Sequence, residues 1–184
     1  FSNIKVTFVQ AGILSVKKIL VCYSTRYGST GEIAGMIGEE LGSTGYEVMV
    51  QPIARVKDPG EYNAVVIGSP LYMGKWLAEA RDFVSRFRHS LGERPVAVFS
   101  IGYSMKDRTK EHLQSGEDAL EAIRIFINPI STGFFPGRVD PDLMSPADKA
   151  VVRLGGVTPG DFREEDLVRT WAKTLAGAMS EEVK

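Results

Sequence analysis

Cysteine is almost missing from this chain. The one cysteine in 184 residues, Cys22, excludes an internal disulfide and any cysteine cluster for zinc or iron–sulfur. Such usage fits a reducing compartment, and a cytoplasmic location is expected. Histidine is scarce too: His89 and His112 both sit in polar stretches that read as surface. No metal site and no side-chain nucleophile are expected. Neither sign of charge dominates, with 22 Lys and Arg against 23 Asp and Glu, so nothing marks a nucleic-acid partner. No apolar run reaches the ~18 residues of a membrane span. No internal repeat and no low-complexity segment is present.

What is present is an ordinary soluble composition, 43% hydrophobic and 24% charged, long enough for one domain with a substantial core. Lys18 to Leu41 organises it. Ile19, Leu20, Val21, Cys22 and Tyr23 form a continuous apolar run, as in a strand buried on both faces. Ser24 to Thr30 is dense in hydroxyls and turn residues, and Ile33, Met36, Ile37 and Leu41 recur at helical spacing. A strand, a hydroxyl-rich loop and a helix start aim backbone N–H groups and the positive helix end at one point, which suits a phosphate. Other phosphate loops are excluded. No lysine lies between Cys22 and Lys57, so the Walker loop is ruled out. A dinucleotide G-x-G-x-x-G is missing after the strand, as is the acidic cluster of a receiver-type metal site.

Before that stretch, residues 1–16 are expected to be an extension outside the domain, which occupies 17–180. Ile4, Val6 and Phe8 alternate, so an added edge strand or a subunit contact is the alternative. After the first helix, Tyr46 to Gln51 alternates like an edge strand. Ala64 to Gly68 is a buried strand that ends in the loop Ser69 to Trp76. Leu77, Ala80, Val84, Phe87 and Leu91 keep the spacing of one helix. Pro95 to Ile101 is a further strand, followed by Gly102 and Tyr103. Ser115 to Asp118 reads as a helix start, and Asn128-Pro129 as its stop. Ile130 to Phe135 is the fifth strand. Residues 138–160 carry three of the nine prolines and no long core pattern, an insertion of functional length. Leu167, Trp171, Leu175 and Ala178 mark the closing helix, with Trp171 in the core.

Strand and helix alternate, which predicts an α/β fold: a five-stranded parallel sheet, order 2-1-3-4-5, with helices on both faces. Ligands of such sheets bind beyond the carboxyl ends of the strands, where all three suspect loops lie.

Tyr23 to Thr30 resembles the phosphate loop of flavodoxins, which holds the 5′-phosphate of FMN, and Gly68-Ser69-Pro70 followed by Tyr72 resembles their aromatic flavin wall. The resemblance implies FMN bound by Ser24, Thr25, Arg26, Tyr27, Gly28, Ser29 and Thr30, by Ser69, Pro70, Leu71, Tyr72, Met73, Gly74, Lys75 and Trp76, and by Ile101, Gly102 and Tyr103. Tyr72 would stack on the flavin, and the chemistry would be carried by FMN. Gly133-x-Phe135-x-Gly137-x-x-Asp140, the insertion, and Gly160-Asp161-Phe162-Arg163 ahead of Trp171-Ala172 look like the menaquinone-dependent protoporphyrinogen oxidase family.

That resemblance implies an FMN-dependent oxidoreductase moving electrons from an organic donor, a porphyrinogen being one candidate, to a quinone-type acceptor. A non-enzymatic electron carrier between protein partners is the alternative, and a flavin-free interaction module the third reading. The family's insertion is apolar and basic, whereas Pro141 to Gly156 carries Asp142 and Asp148 with only Lys149 and Arg153 as cations. The insertion is therefore expected to lid the flavin, with at most transient membrane contact. Arg26, Lys75, Lys106, Arg108 and Lys110 near the mouth would attract an anionic substrate or partner. An oligomer is allowed for.

Overall fold

A computed structural model describes residues 17–182. The expected extension, residues 1–16, lies outside the described residues. The apolar run after Lys17 forms β1 (Lys18–Tyr23), and its neighbours on either side are β2 (Glu47–Pro52) and β3 (Ala64–Tyr72). Beyond β3 stand β5 (Val96–Ile101) and β6 (Ser131–Phe135), all parallel, in the order β2-β1-β3-β5-β6. A short strand, β4 (Lys75–Trp76), folds back antiparallel on the end of β3. The sheet thus has six strands rather than the expected five, while the parallel strands keep the expected succession.

Alternation along β1 sends Leu20 and Cys22 to one face and Ile19 and Val21 to the other. On the first face pack α2 (Ala78–Arg86), α3 (Arg88–Gly92) and α5 (Glu121–Arg124), through Ala80, Phe83, Leu91 and Ile123. On the second lie α1 (Ser29–Ser43) and α7 (Glu165–Glu182), through Ile33, Ile37, Leu41, Val168 and Leu175. β1, β3 and β5 are covered on both sides, which is why their sequences read as unbroken apolar runs. β2 pairs with β1 alone, the edge position expected of it, but leaves both Met49 and Val50 exposed, so its burial does not follow the alternation of its sequence. Trp171 packs edge-on against Phe135, 5.6 Å between centroids, and donates to Ser131 Oγ at 3.0 Å.

Four local expectations are corrected. The single helix over Leu77 to Leu91 is two helices that meet at Phe87. The helix placed after Ser115 begins earlier: α4 spans Lys110–Ala119, capped by Thr109, whose side chain accepts from His112 N. His112 is half-buried rather than surface, and its Nδ1 has no hydrogen-bond partner among the described residues. The stretch after Gly68 is not a loop. β3 continues through Ser69, Pro70, Leu71 and Tyr72, turns at Met73 and Gly74 (φ 50° and 72°), and returns as β4. Two positive φ values in succession match the twist of a tight hairpin. Proline is tolerated there because Pro70 sits at the far end of its pairing with β5.

Residues 138–160 leave the sheet after β6. They form β7 (Arg138–Val139), a helical turn at Pro141–Leu143, and α6 (Pro146–Leu154). β8 (Gly160–Asp161) then pairs antiparallel with β7, so the two ends of the excursion are tied together.

Candidate functional site

The carboxyl ends of β1, β3 and β5 open into a cleft of about 280 Å³ roofed by α6. Its first wall is the segment that follows β1. Ser24 N donates to Gly68 O at 3.0 Å, and Gly28 N donates to Thr25 Oγ1 at 2.8 Å, which curls the loop. Gly28 has φ 97°, a left-handed conformation that a side chain at that position would strain. Gly28 is also the cap of α1 and provides no side-chain bond to its first turn. Gly31 N and Glu32 N turn back to Gly28 O, and the remaining N–H groups at the start of the turn, with the hydroxyls of Thr25, Ser29 and Thr30, make an arrangement able to take an anion.

The second wall is the β3–β4 hairpin: Pro70, Leu71, Tyr72 and Met73 border the cleft. The third follows β5. Ile101, Gly102 and Tyr103 border it, and Gly102 N bonds Phe135 O at 3.0 Å. Gly137 closes the back. A Cβ there would come within 2.6 Å of Ile101 Cγ2 and 3.2 Å of Ser29 Oγ, so a side chain at this position would push Ile101 out of place. The roof is apolar, with Met144, Val151, Val152 and Val157 bordering the cleft.

One charged group joins roof to walls. Asp148, on α6, is 4% exposed. Its Oδ2 accepts from Arg26 Nε at 2.8 Å and Nη2 at 2.7 Å, and from the Tyr27 hydroxyl. Its Oδ1 accepts from the Tyr72 hydroxyl at 2.9 Å. Arg26 also lies over the Tyr72 ring, 4.2 Å from its centroid. The Arg26 and Tyr27 donors hold the Asp148 carboxyl well below the usual carboxylate range, although burial opposes them. The same bonds raise the Arg26 guanidinium, and the bond to Asp148 raises the Tyr72 phenol. At the other end of the roof, Thr158 N donates to the Tyr103 hydroxyl at 3.3 Å and lowers its pKa by favouring the phenolate.

Of the expected cofactor residues, Thr25, Arg26, Tyr27, Ser29 and Thr30 meet Pro70 to Met73 and Ile101 to Tyr103 on this cleft. Others do not reach it. Trp76 is corrected to the core: it is 2% exposed, and its Nε1 donates to Ser100 Oγ at 2.8 Å. Ser69 is buried and serves the hairpin, accepting from Leu77 N at 3.0 Å. Gly74 and Lys75 border a separate depression beside Arg81 and Asp118. Gly28 shapes the loop from its rim. Ser24 is 2% exposed, and its Oγ has no hydrogen-bond partner among the described residues.

Two of the five cations expected at the mouth, Arg26 and Lys106, are paired with carboxylates. Arg26 pairs with Asp148, Lys106 with Asp107 at 2.8 Å, and Arg108 donates to Phe134 O at 3.0 Å. Gly137, Arg138 and Asp148 were not foreseen as site residues. Asp148 carries a signal in hindsight: it is four residues from Met144 and from Val152 and three from Val151, on the apolar face of α6. Among the described residues no His, Cys, Asp and Glu group could hold a metal, and no helix is long and apolar enough to cross a membrane.

The family model described as flavodoxin domain matches residues 20–156. Protoporphyrinogen IX dehydrogenase (quinone) from three strains of Escherichia coli is 30% identical over 104 residues, 55% of this chain. The chain spans 58% of the length of these curated relatives. A flavodoxin from the Archaea superposes with a TM-score of 0.53 at 18% identity, over 89% of this chain and 99% of that one. A Streptococcus pneumoniae flavodoxin gives 0.56 at 15%, over 89% and 98%. Rubredoxin oxygen:oxidoreductase from Desulfovibrio gigas gives 0.54 at 14%, over 89% of this chain and 36% of that one. At these identities the solved structures speak to the fold alone.

Proposed function

The chain belongs to the flavodoxin domain family, and from that premise we propose that the cleft binds one FMN and that the protein is an oxidoreductase carrying electrons from an organic donor to a quinone-type acceptor. The observation that carries this reading is the convergence of an uncapped helix start, Tyr72 and Tyr103 on one cleft. The residues fit the group. Gly28 leaves the first turn of α1 without a side-chain cap, and Thr25, Ser29 and Thr30 bring hydroxyls to the same cleft.

FMN, when bound, supplies one- and two-electron chemistry at its ring. Residues 25–30 bind the phosphate through backbone N–H groups and hydroxyls. Tyr72 and Tyr103 offer aromatic surface to the ring. Met144, Val151, Val152 and Val157 exclude water and give the entering molecule an apolar wall, which favours a flat, uncharged acceptor. Asp148 holds that wall against Tyr72 and orients the phenol. A porphyrinogen is the donor suggested by the name of the Escherichia coli relative. Asp142, exposed beside the roof, disfavours anionic lipid, which supports at most transient membrane contact.

Two experiments test this. Thr30→Val removes a hydroxyl from the phosphate loop and should weaken FMN by ~1.5–3 kcal/mol; unchanged FMN affinity would count against the loop. Replacing residues 142–155 with a Gly-Ser linker should keep FMN yet abolish most turnover with a soluble quinone analogue. Full turnover without the roof would contradict acceptor selection by residues 138–160, and turnover only with a partner protein present would favour an electron carrier.

A further inference from the structure

Two arginines border the phosphate loop, and they are not equivalent. Arg26 belongs to the loop, yet its Nε and Nη2 are both committed to Asp148 Oδ2, at 2.8 and 2.7 Å, and its guanidinium lies over the Tyr72 ring. Because Asp148 is 4% exposed, withdrawing Arg26 would leave a buried carboxylate short of its cation, a costly state. The charge of Arg26 is therefore spent on closing the roof.

Arg138 comes from far along the chain. β7 places it opposite Asp161 of β8. Its Nη2 is 4.0 Å from where a Cβ on Gly28 would stand, against the left-handed residue of the loop. Its carboxylate partner is Glu32, at 3.4 Å from Nη1 and 3.3 Å from Nη2, the long end for a charged hydrogen bond. Glu32 Oε2 is held more closely by Arg163, at 2.7 Å, and Arg163 also takes Asp161 at 2.6 and 2.8 Å. Arg163 thus has two close partners, and Arg138 keeps the weaker share of one. A phosphate dianion at the start of α1 would outcompete that share, because it offers several charged acceptor oxygens to one planar guanidinium. It would also repel Glu32, which sits in the first turn of α1. The loop has no second cation of its own to offer, since no lysine lies between Cys22 and Lys57.

We infer that Arg138, and not the loop's own Arg26, neutralises the phosphate monoester held by residues 25–30, and so sets the preference for phosphorylated over unphosphorylated flavin. This rests on the assignment of that loop to a phosphate.

The test is titration of the flavin-stripped chain with FMN and with riboflavin, followed by flavin fluorescence. Arg138→Met should lower FMN affinity about tenfold or more, the effect of losing a charged hydrogen bond, and leave riboflavin nearly unchanged. Arg138→Lys should recover part of the loss by restoring the charge. Arg26→Met should shift both flavins alike, because it loosens the roof rather than the phosphate. Circular dichroism melts confirm folding, and Arg138→Gln replaces Met if that variant does not fold. A wild-type preference for FMN that survives in Arg138→Met, or that disappears in Arg26→Met instead, would overturn the inference while leaving the phosphate site intact. A wild-type chain that binds neither flavin would overturn the phosphate assignment itself, and this inference with it.

Discussion

α1 and α6 border the same cleft but are held by different forces. α1 buries Ile33, Ala34, Ile37 and Leu41 against the sheet and α7, so it is fixed by apolar area removed from water. α6 buries one side chain, and that is the Asp148 carboxylate. Val151 and Leu154 of α6 are exposed, and Val152 is half-buried. Locally α6 is well specified: Ser145 caps it by accepting from Asp148 N at 3.2 Å, and Pro146 opens it. It is therefore a competent helix fastened by polar bonds. The loop before α1 thus rides on an element held by buried apolar contacts and the roof on one held by polar bonds, the arrangement expected where one element must hold a ligand and the other must admit it.

The largest expected effect breaks the first side of that comparison. Ile37→Ala should cost about 2–5 kcal/mol of global stability, read from urea unfolding, whereas Val152→Ala should cost well under ~1 kcal/mol because it is only half-buried. Equal losses would show that α6 belongs to the same cooperative core.

Next is Asp148→Ala. Removing the carboxylate frees Arg26, Tyr27 and Tyr72 together, at ~1–3 kcal/mol locally, with Arg26 partly solvated and so at the lower end. Amide exchange in residues 146–154 should quicken strongly while α1 exchange and the melting temperature barely move. Protection that stays unchanged in α6 would remove Asp148 as its fastening.

Acid should do the same reversibly. The folded carboxyl of Asp148 is depressed below its free value of about 4, so its stabilisation is complete above that value. It is lost as pH falls from there through the depressed folded value. Proteolytic cutting within 146–154 should be flat from neutrality to about pH 5 and rise below pH 4, and Asp148→Asn should flatten that rise. An opening centred near neutrality would require a different group. The smallest effect is expected from Tyr72→Phe, which removes one of the hydroxyls on Asp148 and leaves Arg26 and Tyr27 in place; α6 exchange should quicken less than in Asp148→Ala.

The same division explains what could be read from the sequence. β1, β3 and β5, with the start of α1, announce themselves because each is buried by its own local pattern. The extension of β3 into a hairpin was hidden, since Pro70 and a two-residue strand look like a loop until paired with Leu71 and Tyr72. Trp76 was ambiguous for the same reason: its direction depends on Ser100, across the sheet. Arg26 and Asp148 stand 122 residues apart, and nothing local tells an aspartate in a helix's first turn from one that closes a cleft. Arg138 acquires its place only when β7 and β8 pair.

The most direct test of the whole account is equilibrium titration of the flavin-stripped full chain with FMN, read by quenching of flavin fluorescence and by the visible spectrum. The account predicts saturation at one FMN per chain with strong quenching that Tyr72→Ala relieves. No saturable binding, or binding that is indifferent to both Thr30→Val and Tyr72→Ala, would contradict it.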